Sequence, residues 1–223
     1  MTNPHSNSDL LCYLLSRSEE GSERLPPLSD LSKELGVSVA ALREQLEVAK
    51  SLGLVEVRPR TGIRRLPYRF FPAISCSLSY AMQLEPAHFR AFADLRRHLE
   101  IGYWHEAVRQ LTPQDQTELK ILVVKAWEKL HGNPVHIPHA EHRHLHIGLY
   151  RRLDNLFVTD LMEAYWDAYE AVGLNVYADY EYLRQVWTYH QDMVDAICAG
   201  EFERGYRVMV AHTELLDQLP VPG

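Results

Sequence analysis

The chain has 223 residues and a mass of 25.8 kDa, enough to bury a sizeable core in one large domain or two smaller ones. Its formal net charge of −7 excludes a protein coated in positive charge, so any nucleic-acid surface must be local. No apolar run approaches the roughly 20 residues that span a bilayer, and the N-terminus lacks the apolar segment of a signal peptide. We therefore expect a cytoplasmic protein with no membrane partner.

Two short helices are predicted at the start of the chain. Asp9 can cap a helix that extends through Arg17. Ser29 can cap a second helix, Asp30–Leu35. This helix should end at Gly36, because glycine readily adopts the left-handed conformation that terminates helices.

A third helix follows after the short connection Gly36-Val37-Ser38. Ser38 is its expected N-cap, and the helix runs from Val39 to about Ser51 with an apolar inward face. Two short helices joined in this way are typical of a helix-turn-helix, whose second helix enters the major groove of DNA. Ser38, Val39 and Arg43 are therefore candidate DNA-binding residues.

A hairpin comes next, with strands at Leu54–Val57 and Ile63–Leu66 and a turn at Pro59–Gly62. Arginines crowd it, with no acidic residue among them: Arg58, Arg60, Arg64, Arg65 and Arg69. Such a hairpin suits contact with phosphates and the minor groove. The alternative is a solvated edge strand protected by its charges. The preceding helix-turn-helix favours DNA binding, with Arg58, Arg60, Thr61 and Gly62 as candidate contacts.

The rest of the chain predicts a bundle of six or seven helices. Their expected limits are 75–84, 86–108, 113–131, 136–153, 156–174, 176–199 and 201–218. The predicted fold class is mostly α, with a helix-turn-helix domain over residues 1–70 and an all-helical domain over residues 74–220.

Three of these helices carry a histidine in the middle of an apolar stripe, meaning apolar residues one turn apart on one face: His146, His190 and His212. Around His190 the stripe comprises Leu183, Val186, Trp187, Met193, Val194 and Ile197. Around His212 it comprises Phe202, Gly205, Tyr206, Met209, Leu216 and Leu219. The short loop Ala199-Gly200-Glu201 predicts that these two helices form an antiparallel hairpin.

His146 shares its face with Leu145, Leu149 and Leu153, and His142 lies one turn earlier. A single histidine on an apolar face is usually a hydrogen-bonded core residue. Three together favour a buried metal or ligand site, since imidazole binds divalent transition metals and helical bundles commonly hold such sites. The His142-x3-His146 pair is not the zinc-protease motif, because no glutamate follows His142.

Taken in order, several motifs resemble the winged helix of GntR-family bacterial transcription regulators. They are Leu25-Pro26-Pro27, Asp30-Leu-Ser-Lys-Glu-Leu-Gly-Val-Ser38, Leu42-Arg43-Glu44 and Gly53-Leu-Val-Glu-Val-Arg-Pro59 with Gly62. The C-terminal part resembles the FCD effector domain of the FadR-type subfamily. Its marks are Arg96 with Leu99-Glu100, Leu145-His146, Leu149, Asp154-Asn155, His190, Ala196-Ile197, Gly200-Glu201-Phe202 and His212.

The resemblance implies a homodimer that binds pseudo-palindromic double-stranded operator DNA and responds to a small carboxylate effector held at a metal. Metal-binding members use one aspartate and three histidines. His146, His190 and His212 match the histidines, whereas His142 occupies the aspartate position. Four imidazoles favour zinc, nickel, copper or cobalt over manganese or magnesium, and we expect zinc or nickel. Because a neutral histidine stands in place of the family's aspartate, the metal site would carry one more net positive charge, which favours an anionic effector. Alternatively, His142 does not bind the metal, and the site has three histidine ligands and more open positions.

Arg96 aligns with an arginine that in this family often reaches the effector carboxylate, a role that suits a guanidinium. The alternative is a helix-surface ion pair with Glu100, four residues later. In the DNA-binding part, the family usually has arginine where Ser29 and Val39 stand here, and only Arg43 of that trio remains. We therefore expect an atypical operator or a lower DNA affinity.

Two other functions remain open at this point. One is a regulator whose histidine pocket holds an organic ligand without a metal. The other is a metal-dependent hydrolase or oxygenase, which needs a general base that none of the three histidine stripes clearly supplies. The prediction is a transcription regulator and not an enzyme.

Overall fold

The computed structural model describes residues 8–17, 23–174, 176 and 179–215. The helices in these residues are α1 (Asp9–Ser16), α2 (Leu28–Leu35), α3 (Val39–Ser51), α4 (Phe71–Leu84), α5 (His88–Arg109), α6 (Pro113–Leu130), α7 (His139–Tyr150), α8 (Leu156–Ala171), α9 (Tyr180–Cys198) and α10 (Phe202–Thr213). The strands are β1 (Val55–Arg58) and β2 (Gly62–Arg65). The mostly α fold class is confirmed. None of the described helices is long and apolar enough to cross a membrane.

The chain divides into two compact units, with the division between Cys76 and Ser77 inside α4. The N-terminal unit has its own apolar core, formed by Leu10, Tyr13, Leu14, Leu25, Leu31, Leu42, Leu46, Ala49, Val55 and Ile63. Gly36 ends α2 at a φ of 67°, and the Ser38 side chain accepts a hydrogen bond from the backbone N–H of Ala41 at the start of α3. The two helices therefore form the predicted helix-turn-helix.

Two predicted helix caps are wrong. The side chain of Ser8, not of Asp9, accepts the N-terminal hydrogen bond of α1, from the Leu11 N–H. The carboxylate of Asp9 instead accepts from the Gln45 amide on α3. Helix α2 begins before Ser29, at Leu28, because the Pro27 carbonyl already accepts from the Asp30 and Leu31 N–H groups.

The hairpin pairs β1 with β2 in antiparallel register, with Val55 opposite Arg65 and Arg58 opposite Gly62. Its turn places Arg60 at a φ of 68° and Gly62 at a φ of 82°. Residues 23–25, which the sequence did not predict as part of the sheet, run beside β2. There the Leu25 N–H donates to the Ile63 carbonyl.

After the hairpin, the described part of the chain contains seven helices, the larger of the two predicted numbers, and some of them are shorter than predicted. Helix α9 begins at Tyr180, where the Asp179 side chain accepts from the Tyr182 N–H, and not at residue 176. Helix α8 ends at Ala171, just before Gly173 adopts a φ of 78°. The predicted extension of the last helix to residue 218, with Leu216 and Leu219, lies outside the described residues.

Helices α9 and α10 form the predicted antiparallel hairpin. Gly200 at a φ of 74° closes α9, and the Glu201 N–H donates to the Ala196 carbonyl. The two helices run in opposite directions, since His190 contacts His212 while Ala196 lies beside Gly205. This hairpin packs with α5, α6 and α7 around buried residues that include Trp104, Leu145 and Trp187.

Candidate functional site

Three imidazole nitrogens converge in the interior of the helical unit. The Nε2 atoms of His146 on α7, His190 on α9 and His212 on α10 lie 3.1, 3.2 and 3.3 Å apart in pairs. The exposed fractions of the three side chains are 0%, 0% and 4%. The apolar stripes put each histidine on an inward face, and the packing of three helices brings the faces together.

His142, one turn before His146 on α7, completes this group, which we call the histidine cluster. One nitrogen from each of the four rings lies within 4.8 Å of every other. The ring centroid of His142 is 4.8 Å from that of His190 and 5.0 Å from that of His146. Its Nε2 atom is buried without a hydrogen-bond partner among the described residues. His144, in contrast, is exposed.

The spacing of the three Nε2 atoms fits a metal ion. Nitrogens about 2.0–2.1 Å from zinc, with bond angles of about 90–110°, stand about 2.9–3.4 Å apart. The observed 3.1–3.3 Å lies inside that range. Hydrogen bonding among the rings does not explain the triangle, because each Nε2 of a neutral imidazole either donates or accepts. Among three mutually adjacent Nε2 atoms, at least one pair must therefore be two donors or two acceptors, and such a pair cannot form a hydrogen bond.

A buried ion pair borders the cluster on α5. Glu100 Oε1 lies 2.7 Å from His146 Nδ1 and accepts a hydrogen bond of 2.9 Å from Arg96 Nη2. The exposed fractions of Arg96 and Glu100 are 3% and 0%. The alternative of a helix-surface ion pair is therefore wrong about the surface, although the pair itself exists. The spacing of four residues put both side chains on one face, and the helix turns that face inward.

Aromatic side chains of α8 surround the guanidinium of Arg96. Its central carbon lies 4.5 Å from the ring centroid of Tyr165 and 5.5 Å from that of Trp166. The Tyr165 hydroxyl and the Trp166 indole nitrogen are buried without hydrogen-bond partners among the described residues. Burial raises the pKa of Tyr165 to about 12, so the hydroxyl remains a donor at neutral pH. The region between α5 and α8 therefore offers polar donors in an apolar setting.

Burial also controls the charge of the imidazoles. It lowers the pKa of all four cluster histidines well below their usual range, and the positive charge of Arg96 acts in the same direction. The rings are therefore neutral at pH 7, the form that offers a lone pair to a metal. Burial raises the pKa of Glu100 above its usual value, against the attraction of Arg96.

Glu100 and Trp166 are site residues that the sequence prediction omitted. Glu100 lies on a fourth helix, outside the three histidine stripes. The signal that could have identified it was its spacing from Arg96, which puts both on one helix face. No comparable pattern in α8 marks Trp166.

The predicted DNA contacts lie in the N-terminal unit. Arg43 on α3 is exposed, as are Arg58, Arg60, Thr61 and Gly62 of the hairpin. Ser38 is exposed and caps α3, whereas Val39 is half-buried.

Two of the hairpin arginines pair with acidic residues that precede them in the sequence. Arg58 pairs with Glu56 at 2.9 Å, and Arg64 pairs with Glu23. These ion pairs are exposed, so each contributes about 1 kcal/mol or less and can exchange for a phosphate contact. No acidic side chain among the described residues pairs with Arg43 or Arg60.

Comparisons with known proteins agree with this fold. The family model of the FCD domain matches residues 91–215, more than half of the chain. Streptococcus agalactiae GntR is a similar solved structure, with 17% identity over 94% of this chain and 95% of that chain and a TM-score of 0.67. E. coli McbR/YncC is 20% identical over 86% of each chain, with a TM-score of 0.51. A search of curated proteins gives no significant match. The chain belongs to the FCD-domain regulators of the GntR family, of the FadR type.

Proposed function

We propose that this GntR-family transcription regulator binds a divalent transition metal through its histidine cluster and responds there to a small carboxylate effector. The observation that carries the proposal is the triangle of Nε2 atoms, whose sides match those of a three-nitrogen metal site. His142 is the proposed fourth ligand. The metal would supply a positive charge and open positions for an anionic ligand. Since the family consists of transcription regulators, the enzyme alternative is set aside.

Zinc or nickel is the proposed metal, because imidazole ligands suit these ions better than manganese or magnesium. Metal analysis of the dialysed, untagged protein by mass spectrometry should find about one ion per chain. The matched variant is His190→Ala, which should lose the ion. If the unsubstituted protein took up no metal even after incubation with zinc and nickel, the proposed metal site would be wrong. The histidines would then bind an organic ligand directly or only contact one another.

Arg96 is the proposed anchor for the effector carboxylate. Its guanidinium is buried beside the cluster, and its Nε atom has no hydrogen-bond partner among the described residues. A panel of small mono-, di- and tricarboxylates, added to the zinc-loaded protein, should raise the melting temperature for the acids that bind. Arg96→Gln should abolish that rise without removing the metal. A rise that survives this substitution would contradict the role of Arg96.

Operator binding is proposed to use Ser38, Val39 and Arg43 of the helix-turn-helix with Arg58, Arg60, Thr61 and Gly62 of the hairpin. Selection from a random library of duplex DNA should recover a pseudo-palindrome with half-sites about one helical turn apart, as a homodimer requires. Arg43→Ala should weaken specific DNA binding. Arg60→Ala should reduce the dependence of DNA affinity on salt concentration by the amount expected for about one lost phosphate contact. Arg184→Ala, which removes an exposed arginine from α9, is the control. Equal effects of all three substitutions would contradict the assignment.

A further inference from the structure

The two ring nitrogens of His146 face different partners. Nε2 faces His190 and His212, whereas Nδ1 lies 2.7 Å from Glu100 Oε1 and 2.7 Å from Arg96 Nη2. A carboxylate only accepts hydrogen bonds and a guanidinium only donates them. The two neighbours of Nδ1 therefore require opposite states of that atom, one with a proton and one without.

The state of Nδ1 decides what Nε2 can do, because a neutral imidazole carries a single proton. If the proton is on Nδ1, it is donated to Glu100, and the lone pair of Nε2 faces the other two histidines. If Nδ1 instead accepts from Arg96, the proton sits on Nε2, which then cannot bind a metal. Arg96 does not need the ring nitrogen, since Nη2 also donates to Glu100 Oε1 at 2.9 Å.

We propose that Glu100 is a positioning residue that selects the metal-binding tautomer of His146. The inference rests on the metal site proposed above. It applies a general feature of metal centres, in which a ligating histidine donates its other ring N–H to a carboxylate or carbonyl. Neither side chain is exposed, so bulk water does not compete for the Nδ1 proton.

The position of Glu100 is fixed by the fold. The Tyr150 hydroxyl, four residues after His146 on α7, donates to the backbone carbonyl of Glu100 at 2.9 Å. This hydrogen bond ties α5 to α7 at the residue that contacts the ring. Glu100 also brings a negative charge next to the cluster, where His142 supplies none, and thereby favours a bound cation.

The test compares two substitutions that break the same ion pair from opposite sides, in the full-length protein. Glu100→Gln keeps the shape of the side chain but removes the charge, and zinc affinity, measured by competition with a chromophoric chelator, should fall about 10–100-fold. Arg96→Gln removes a positive charge beside the cation and leaves Glu100 free for His146. Zinc affinity should therefore not fall.

A tautomer measurement separates positioning from general stability. In the zinc-loaded protein, nitrogen-15 NMR should find the proton of His146 on Nδ1, with a hydrogen-bonded shift that changes in Glu100→Gln. Equal losses of zinc affinity in the two variants would overturn the inference, because the ion pair as a whole would then matter. Unchanged affinity in Glu100→Gln would overturn it as well.

A second pair of variants covers the case in which Glu100→Gln does not fold. Arg96→Met combined with Glu100→Met removes both buried charges, an exchange that proteins often tolerate. Its zinc affinity should be at least tenfold below that of Arg96→Met alone, and equal affinities would overturn the inference. Absence of zinc binding in the unsubstituted protein would instead remove the proposed function and the inference together.

Discussion

At the scale of single residues, the histidine cluster is a neutral group of four rings whose nitrogens cannot all hydrogen bond to one another. Three of the rings are buried, and His142 is half-buried. The Nδ1 atoms of His190 and His212 and the Nε2 atom of His142 have no partner among the described residues. Each buried polar atom without a partner costs about 1–3 kcal/mol. The cluster therefore lowers the stability of the metal-free fold. A metal ion that accepts the lone pair of His142 Nε2 would recover the part of the cost that this atom carries.

The identity of residue 142 should control metal selectivity. His142→Asp replaces a neutral nitrogen by an anionic oxygen, the ligand type that manganese and magnesium prefer. We expect the affinity for Mn²⁺, relative to Zn²⁺, to increase by about tenfold or more, measured by competitive titration of the two ions. An unchanged ratio would mean that His142 does not coordinate and that the site has three histidine ligands.

The stability of the metal-free protein should depend on pH through the same rings. Their pKa values are lowered in the folded state, so below about pH 6.5 the unfolded chain binds more protons than the folded chain. The contribution of the neutral rings to the free energy of unfolding is therefore fully present above that pH. It is lost as the pH falls, by up to about 1.4 kcal/mol per pH unit for each ring. The raised pKa of Glu100 acts in the opposite sense and offsets part of the loss.

Urea denaturation of the chelator-treated protein at pH 7 and pH 5 measures this effect. His212→Leu should reduce the pH dependence by the contribution of one ring. Equal stability of the unsubstituted protein at the two pH values would contradict the expectation.

At the scale of helices, the site depends on how closely α10 approaches α5. A Cβ atom on Gly205 would lie 2.7 Å from Cζ2 of Trp104, a side chain with 0% exposure. The indole cannot move easily, because its nitrogen donates to the Phe202 carbonyl at 3.0 Å. Glycine at position 205 therefore sets the distance between the two helices that carry His212 and Glu100.

Gly205→Ala should destabilise the protein by about 1–3 kcal/mol, as overpacking of a close contact does. The matched control is Gly102→Ala on α5, where an added Cβ meets nothing within 4 Å. That substitution should stabilise by about 0.5–1 kcal/mol through helix propensity. Urea midpoints of the two variants at an unchanged m-value give the comparison. We expect the two substitutions to change the free energy of unfolding in opposite directions. If Gly205→Ala left the free energy of unfolding unchanged, the close approach of α10 to α5 would be contradicted.

At the scale of the whole molecule, the two units have separate apolar cores. All four residues of the histidine cluster belong to the C-terminal unit. A bound metal stabilises the structure that holds it, by about 2.7 kcal/mol at a concentration 100 times its dissociation constant. The binding energy should therefore slow local opening of α7, α9 and α10 more than that of α1–α3.

Hydrogen exchange followed by mass spectrometry tests this distribution. Zinc at saturation should increase protection in peptides from α7, α9 and α10 of the full-length protein. Peptides from the N-terminal unit should change little. The His190→Ala variant with the same zinc concentration is the control, and protection there would indicate non-specific binding.

The sequence alone determined the order and kind of the elements, because their signals are local. The stripes of α9 and α10, the Ser38 cap and the left-handed glycines at positions 36 and 200 are each set by residues within a few positions of one another. The same local signals put His146, His190 and His212 on inward faces. The wrong caps at Asp9 and Ser29 have a local cause as well. The neighbouring Ser8 caps α1, and α2 begins one residue before Ser29 without a side-chain cap.

The side chains that complete the site are brought together by the packing of helices that are distant in sequence. Glu100 is 46 residues from His146 in sequence, and no periodic pattern relates α5 to α7 across that distance. The packing of α5 against α7 places Glu100 and Arg96 beside the same nitrogen, Nδ1 of His146. Glu100 requires a proton on that atom, whereas Arg96 requires a lone pair. Burial, which depends on every neighbouring helix, then makes Arg96 an interior residue and keeps the four imidazoles neutral.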